Sequence, residues 1–267
     1  MLLSIPHMTP RADKVHITRD NETETFRSDY TERRADVPQL LLVEQPIPGS
    51  KILPHFHGVD QFQVVVGGDG KLGQHPVGPI SLHYTNRFTG YGPIVAGPRG
   101  MSYYVLRPGL AVSGSHYLHV PEERAKMTRG GKRYFMSGNL AVATREALMD
   151  LREPQLNRLV EVEEGADAGL FADMLLLPPN TAHAGADPQT GGGQVFLVLQ
   201  GTLKHHHTTL LAPASVVVLV LPPEQAAVAA ARDHTAAKRR REIERTRTSG
   251  LLALERSEEH TSELQSL

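Results

Sequence analysis

Two histidines separated by one residue, His55 and His57, are the most informative chemical feature of the chain. Side chains alternate across an extended strand, so both imidazoles project from one face and Phe56 projects from the other. Two imidazoles on one face can hold a single metal ion, and imidazole binds zinc, copper, iron and nickel alike. The pair therefore predicts a metal site, and a pair of surface histidines without a metal is the alternative.

The strand predicted directly after this pair has two different faces. One face is apolar and consists of Phe62, Val64 and Val66, whereas the other carries the amides of Gln61 and Gln63. An antiparallel sheet commonly has one dry face and one wet face, so the amides can face solvent. The alternative is the interior of a barrel that is polar at one point because it holds a site. The sequence leaves both interpretations open.

The spacing of these residues resembles two sequence motifs of the cupin superfamily. The first motif is matched, with glutamine in place of glutamate, at Gly49, His55, His57, Gln61 and Gly68. The second motif is matched, with tyrosine in place of histidine, at Gly92, Pro98, Gly100 and Tyr103. Two of the four ligand positions of the family are therefore altered in this chain.

The resemblance implies a mononuclear metal centre and its ligand set. The implied ligands of a divalent or ferric metal ion (Fe, Mn, Ni or Zn) are His55, His57, Gln61 and Tyr103. A glutamine lacks the charge of glutamate, so we expect a lower metal affinity. A tyrosine whose pKa is ordinarily about 10 would coordinate as a phenolate and would suit ferric iron, or it is a core aromatic. His75 and His83 lie between the motifs and are candidate replacement ligands.

The predicted fold is all-β, with two cupin-like β-barrels of the double-stranded β-helix or jelly-roll type, a short linker helix and a C-terminal helix. Short apolar runs punctuated by glycine and proline indicate the first barrel, and Gln194 and Gly201 repeat the spacing of Gln61 and Gly68. Thr144 is the predicted cap of the linker helix. The predicted units are an N-terminal arm (1–37), barrel 1 (38–120), the linker (121–157), barrel 2 (158–231), the C-terminal helix (232–255) and a translated sequencing adaptor, hence an artefact (256–267).

Composition restricts the class of protein further. The 267 residues are 40% hydrophobic, which is enough for two cores. A formal net charge of −1 favours neither nucleic acid nor membrane as a partner. The absence of cysteine excludes disulfides and thiolate metal sites, and the lack of an apolar N-terminal run favours a cytoplasmic location. We interpret the three consecutive histidines 205–207 as a solvated stretch.

The sequence is compatible with two functions from different classes. The first is a metal-dependent cupin enzyme, an oxygenase or isomerase, that acts on a small organic molecule; its catalytic residues are not identified, and Arg87 and Arg99 are candidate contacts for an anionic group. The second is a non-catalytic small-molecule-binding or structural bicupin with a degraded metal site. In both cases we expect a small-molecule ligand. The resemblance also implies that the protein forms a homodimer.

Overall fold

The computed structural model describes residues 2–4, 14–18, 23–34, 37–127, 134–163, 168–179, 181, 183–185, 194–200, 214–220 and 251–254, of which 2–4, 214–220 and 251–254 are described by their backbone alone. The strands in chain order are β1 Leu2–Ser4, β2 Val15–Thr18, β3 Glu24–Asp29, β4 Gln39–Gln45, β5 Lys51–Ile52, β6 His55–Phe56, β7 Gln61–Leu72, β8 His75–Val77, β9 Ser81–Thr85, β10 Ile94–Arg107, β11 His116–Tyr117, β12 Tyr134–Asn139, β13 Gln155–Val162, β14 Leu170–Leu177, β15 Gln194–Gln200, β16 Ala214–Val220 and β17 Leu251–Leu254. The helices are α1 Pro121–Arg124 and α2 Arg145–Asp150.

Three sheets organise these strands, and the prediction of an all-β fold is confirmed. A nine-stranded sheet has the order β12-β9-β7-β10-β4-β3-β2, with β5 paired to β10 and β8 paired to β7. A six-stranded sheet has the order β1-β17-β15-β16-β14-β13, and β6 pairs with β11 in a small third sheet. No helix in the described part of the chain has the length and apolar character that a membrane crossing requires.

Strand β7 is buried on both faces, which decides between the two interpretations of its amides. Its apolar face, with Phe62 and Val64, belongs to a core shared with Leu170 and Leu197 of the six-stranded sheet. The opposite face points into the interior enclosed by the nine-stranded sheet, where Gln61 is 0% exposed and Gln63 is 4% exposed. The amides therefore lie in the interior of the nine-stranded sheet and do not face solvent. We call this sheet, together with β6 and β11, the first unit.

Strands form near both ends of the chain. Within the segment predicted as an arm, β2 and β3 extend the nine-stranded sheet beyond β4. The linker helix is confirmed as α2, and the Thr144 hydroxyl accepts a hydrogen bond from the Ala147 amide at 3.2 Å. In the segment predicted as a C-terminal helix, Leu251–Leu254 instead forms β17, whose backbone pairs in parallel with β15 on one side and with β1 on the other. Histidines 205–207, the other residues of that segment and the adaptor-like tail lie outside the described residues.

Two glycines of the motifs allow β7 and β10 to approach closely. Gly68 and Gly100 have φ angles of +70° and +68°, in the left-handed region that favours glycine. A Cβ atom on Gly68 would lie 2.0 Å from the carbonyl oxygen of Gly100. The pairing of β7 with β10 shifts its register beside this contact, between Ala96 and Met101. Glycine at positions 68 and 100 therefore allows the close approach of β7 and β10.

We predict that Gly68→Ala destabilises the protein by more than about 3 kcal/mol, because strain in the left-handed region and a backbone overlap add together. The matched control is Gly49→Ala, since Gly49 has a φ of +76° and no atom within 4 Å of an added Cβ. The control should lose only about 1 kcal/mol. Urea unfolding measures both, and equal losses would contradict the close approach.

Candidate functional site

The two motif histidines lie side by side in the interior of the first unit. Strand β6 is held by β11, and the amide and carbonyl of His55 exchange hydrogen bonds with Tyr91 at 3.1 and 3.0 Å. The rings of His55 and His57 are 5.2 Å apart between centroids, and both line one cavity. Phe56 is fully buried and stacks on His116. The alternation predicted from the sequence therefore holds at this pair.

Both rings are held in the same tautomer by backbone carbonyls. His55 Nδ1 lies 2.8 Å from the oxygen of Leu53, and His57 Nδ1 lies 2.7 Å from the oxygen of Gly114. A carbonyl only accepts, so each Nδ1 carries a proton, and in the neutral ring Nε2 then carries the lone pair. Burial lowers the pKa of His57 well below its ordinary value of 6.5, and the positive charge of Arg107 lowers it further. His57 is therefore neutral at pH 7.

A chain of side-chain hydrogen bonds runs from Arg107 to His55. Arg107 Nε donates to Gln61 Oε1 at 3.0 Å, and Gln61 Nε2 donates to the Tyr91 hydroxyl at 2.6 Å. The Tyr91 hydroxyl in turn donates to His55 Nε2 at 2.9 Å. A guanidinium can only donate, and the Nε2 of His55 can only accept, so the direction of the whole chain is fixed at both ends.

This chain bears directly on a metal centre at the predicted ligands. The oxygen of Gln61, its only metal-binding atom, points at a cation, and its NH₂ group faces Tyr91. Among the residues that the structure describes, no three histidine, aspartate or glutamate side chains are grouped to hold a metal. Because Gln61 Oε1 accepts from Arg107, the arrangement does not fit a four-ligand centre that includes Gln61. His55 and His57 still have the tautomer of metal-binding histidines, whose second nitrogen typically donates to a carbonyl or carboxylate.

The other candidate ligands occupy different surroundings. Tyr103 is buried on β10 opposite Val65 and lines both this cavity and a second, smaller one. His83 is 2% exposed; its Nδ1 lies 2.8 Å from Gln63 Oε1, and burial lowers its pKa to about 3. His75 is exposed and pairs with the Tyr134 hydroxyl at 3.2 Å. The metal-ligand role of the four predicted residues stays a prediction.

The cavity beside the two histidines has a volume of about 250 Å³ and a basic lining. Three arginines line it, Arg27, Arg33 and Arg107, and no aspartate or glutamate is among the described lining residues. Asp29 lies 3.1 Å from Arg27 and 3.7 Å from Arg33, so these two arginines share one carboxylate. Strands β2 and β3, which lie in the segment predicted as an arm, contribute part of this wall.

The arginines chosen from the sequence lie elsewhere. Arg87 is exposed, and its backbone amide donates a hydrogen bond to Asp60 Oδ1. Arg99 is exposed and pairs with Asp69 at 3.2 Å. Alternation along β10 from Tyr103 could have identified Arg107, because residues four apart on a strand share a face. No comparable signal identified Tyr91.

We predict that Tyr91→Phe lowers the free energy of unfolding by about 1–3 kcal/mol, because His55 Nε2 and Gln61 Nε2 would lose a buried partner. Tyr134→Phe is the matched control, since it removes a tyrosine–histidine hydrogen bond at a side chain that is 57% exposed. The control should change stability by less than about 0.5 kcal/mol. Urea unfolding with unchanged m-values measures both. If Tyr91→Phe lost no more stability than the control, the hydrogen bonds from Arg107 to His55 would not stabilise the protein.

Comparison with known proteins gives structural neighbours only. No protein-family model matches the sequence, and neither does any curated protein. A solved structure from Nostoc punctiforme that carries a provisional dioxygenase name has 13% identity, a TM-score of 0.48 and coverage of 78% of this chain and 71% of its own. Quercetin 2,3-dioxygenase from Acinetobacter baumannii has 13% identity, a TM-score of 0.42 and coverage of 78% and 77%. A variant of oxalate decarboxylase from Bacillus subtilis has 10% identity, a TM-score of 0.40 and coverage of 80% and 72%.

Likeness at these identities and TM-scores carries no activity to this chain. The strands of the structure themselves show the all-β fold that the sequence predicted.

Proposed function

We propose that the cavity of the first unit binds a small organic anion and that Arg107 holds its carboxylate. The observation that carries this proposal is the charge of the lining: three arginines and no acidic residue among the described lining residues, with one carboxylate, Asp29, beside Arg27 and Arg33. A guanidinium recognises a carboxylate through two parallel hydrogen bonds, which makes arginine the usual residue for this purpose.

Arg107 is the central element because its charge is not balanced by a described protein group. Its Nε donates to Gln61, and its Nη1 donates to Gln39 Oε1 at 2.8 Å; both acceptors are neutral amides. Burial lowers the pKa of Arg107, whereas Tyr91 and Tyr103 raise it. An arginine nevertheless stays protonated in proteins. A largely desolvated cation without a counter-charge is costly, and a bound carboxylate would offset that cost.

The size and the polar atoms of the cavity restrict the anion further. A volume of about 250 Å³ is just below the range of about 300–1,000 Å³ that holds drug-sized ligands, so the ligand is small. His57 Nε2 lacks a described protein donor and, as a lone pair at the cavity, would accept a hydrogen bond from the ligand. We therefore propose a carboxylate that also carries a hydroxyl, a small hydroxy acid.

We predict that Arg107→Met weakens the binding of small carboxylates about 10- to 100-fold, because a charge-assisted hydrogen bond contributes about 1.5–3 kcal/mol. Calorimetric titration with acetate, propionate, lactate, malonate and benzoate measures this, and Arg99→Met is the control for loss of an arginine outside the cavity. Lactate should bind more tightly than propionate. The absence of binding by every carboxylate to the unaltered protein, or unchanged binding in Arg107→Met, would overturn the proposal.

A second variant separates binding from folding, because removal of Arg107 leaves two glutamine oxygens without their donor. Arg33 is half-exposed and lines the same cavity. Arg33→Gln should therefore keep the fold and weaken carboxylate binding a few-fold, with the loss decreasing as salt is added. An affinity that does not respond to this charge would contradict an electrostatic site.

A metal-dependent oxygenase or isomerase is the second candidate function, and the tautomers of His55 and His57 favour it. The anion proposal predicts that purified protein carries far less than one Fe, Mn, Ni or Zn per chain, because Gln61 directs its oxygen to Arg107. Elemental analysis with histidines 205–207 replaced measures this. Close to one metal per chain, lost in His55→Ala and kept in His75→Ala, would support the metal centre instead.

A further inference from the structure

We infer that a second, smaller cavity of the first unit is a binding site for a soft monovalent metal ion, Cu(I), with His83, Met101 and Met136 as ligands. This inference is independent of the anion proposal, because it rests on other side chains and another cavity. No carboxylate or thiolate takes part in it.

The second cavity lies behind the first, and Gln63 and Tyr103 line both. Its volume is about 10 Å³, which is room for a single atom or water. His83, Met101 and Met136 line it together, and most of its other lining residues are aliphatic.

His83 presents an unused nitrogen in this position. Its Nδ1 donates to Gln63 Oε1, so the lone pair is on Nε2. That Nε2 atom is buried and has no hydrogen-bond partner among the described residues, although nearly all buried polar atoms in proteins have one. Burial also keeps the ring neutral, since it lowers the pKa to about 3. The imidazole is therefore ready to bind a ligand without first losing a proton.

A buried water is the simplest alternative partner for this nitrogen, and the lining disfavours it. A buried water typically makes about three hydrogen bonds, and this cavity offers few polar atoms. The hydroxyl of Ser81 is already engaged with Gly78 and Asn139. The volume is also at the lower limit for a water.

Two methionines supply the other ligands. Met136 is the direct partner of His83 in the pairing of β12 with β9, and Met101 is buried on β10 after its change of register. Thioether and imidazole are soft, neutral donors, a combination that selects Cu(I) over hard divalent ions. Cu(I) also carries only one positive charge, so neutral ligands have less charge to stabilise than they would with a divalent ion. Met136 is only partly buried, whereas His83 and Met101 are buried.

The test is an anaerobic titration of the full chain with Cu(I) in competition with the chelator bicinchoninate. Histidines 205–207 are replaced by asparagine in every variant, so that they cannot bind copper themselves. We expect one Cu(I) per chain, and an affinity at least tenfold lower in Met101→Leu and in Met136→Leu. Met149→Leu is the control, because Met149 is exposed and lies outside the cavity.

Leucine has nearly the volume of methionine, so both variants should fold. A second measurement needs no variant: X-ray absorption of the copper-loaded protein should show two sulfur neighbours and one nitrogen neighbour, and the ¹⁵N signal of His83 Nε2 should shift. Failure to compete with the chelator, a sulfur-free copper site, or equal affinities in all three methionine variants would overturn the inference.

Discussion

The hydrogen bond from Arg107 to Gln61 is the constraint on which the polar interior of the first unit depends. A guanidinium can only donate, so it fixes which end of the glutamine amide faces which neighbour. The NH₂ group must then face Tyr91, and the Tyr91 proton must face His55. A single cation at the end of β10 thereby sets the orientation of three further side chains. The glutamate that the cupin motif has at this position would pair with the arginine through its charge.

The fold supports this interior by burying both faces of β7. One face packs against the six-stranded sheet, and the other carries Gln61 and Gln63 into the hollow of the nine-stranded sheet. Each amide is matched by a partner from a neighbouring strand, Arg107 for Gln61 and His83 for Gln63. Two cavities of different character lie beside these pairs: a larger one that Arg107 and two other arginines line, and a smaller one lined by His83, methionines and aliphatic side chains. The anion and copper proposals follow from that difference in lining.

Local patterns in the sequence predict much of this arrangement. The alternation around Phe56 placed both histidines on one face, and Thr144 marked the start of α2. The sequence could not decide whether the amides of β7 face solvent, because that depends on the distant strands β14 and β15 that cover the other face. Tyr91 was missed for a similar reason: a tyrosine before a glycine turn has no periodic signature, and its role comes from a pairing with His55 across 36 residues. Arg27 was missed because the polar segment 1–37 has the sequence of an arm, and the pairing of β3 with β4 is visible only in the structure.

The most direct test of this account is the protonation of the His55 ring, measured by long-range ¹H–¹⁵N correlation at pH 7. The account predicts a neutral ring with its proton on Nδ1 and an unprotonated Nε2 that accepts from Tyr91. A neutral ring with its proton on Nε2 would donate to the Tyr91 hydroxyl and leave the oxygen of Leu53 without its donor. That result would contradict the direction of the hydrogen-bond chain from Arg107 to His55.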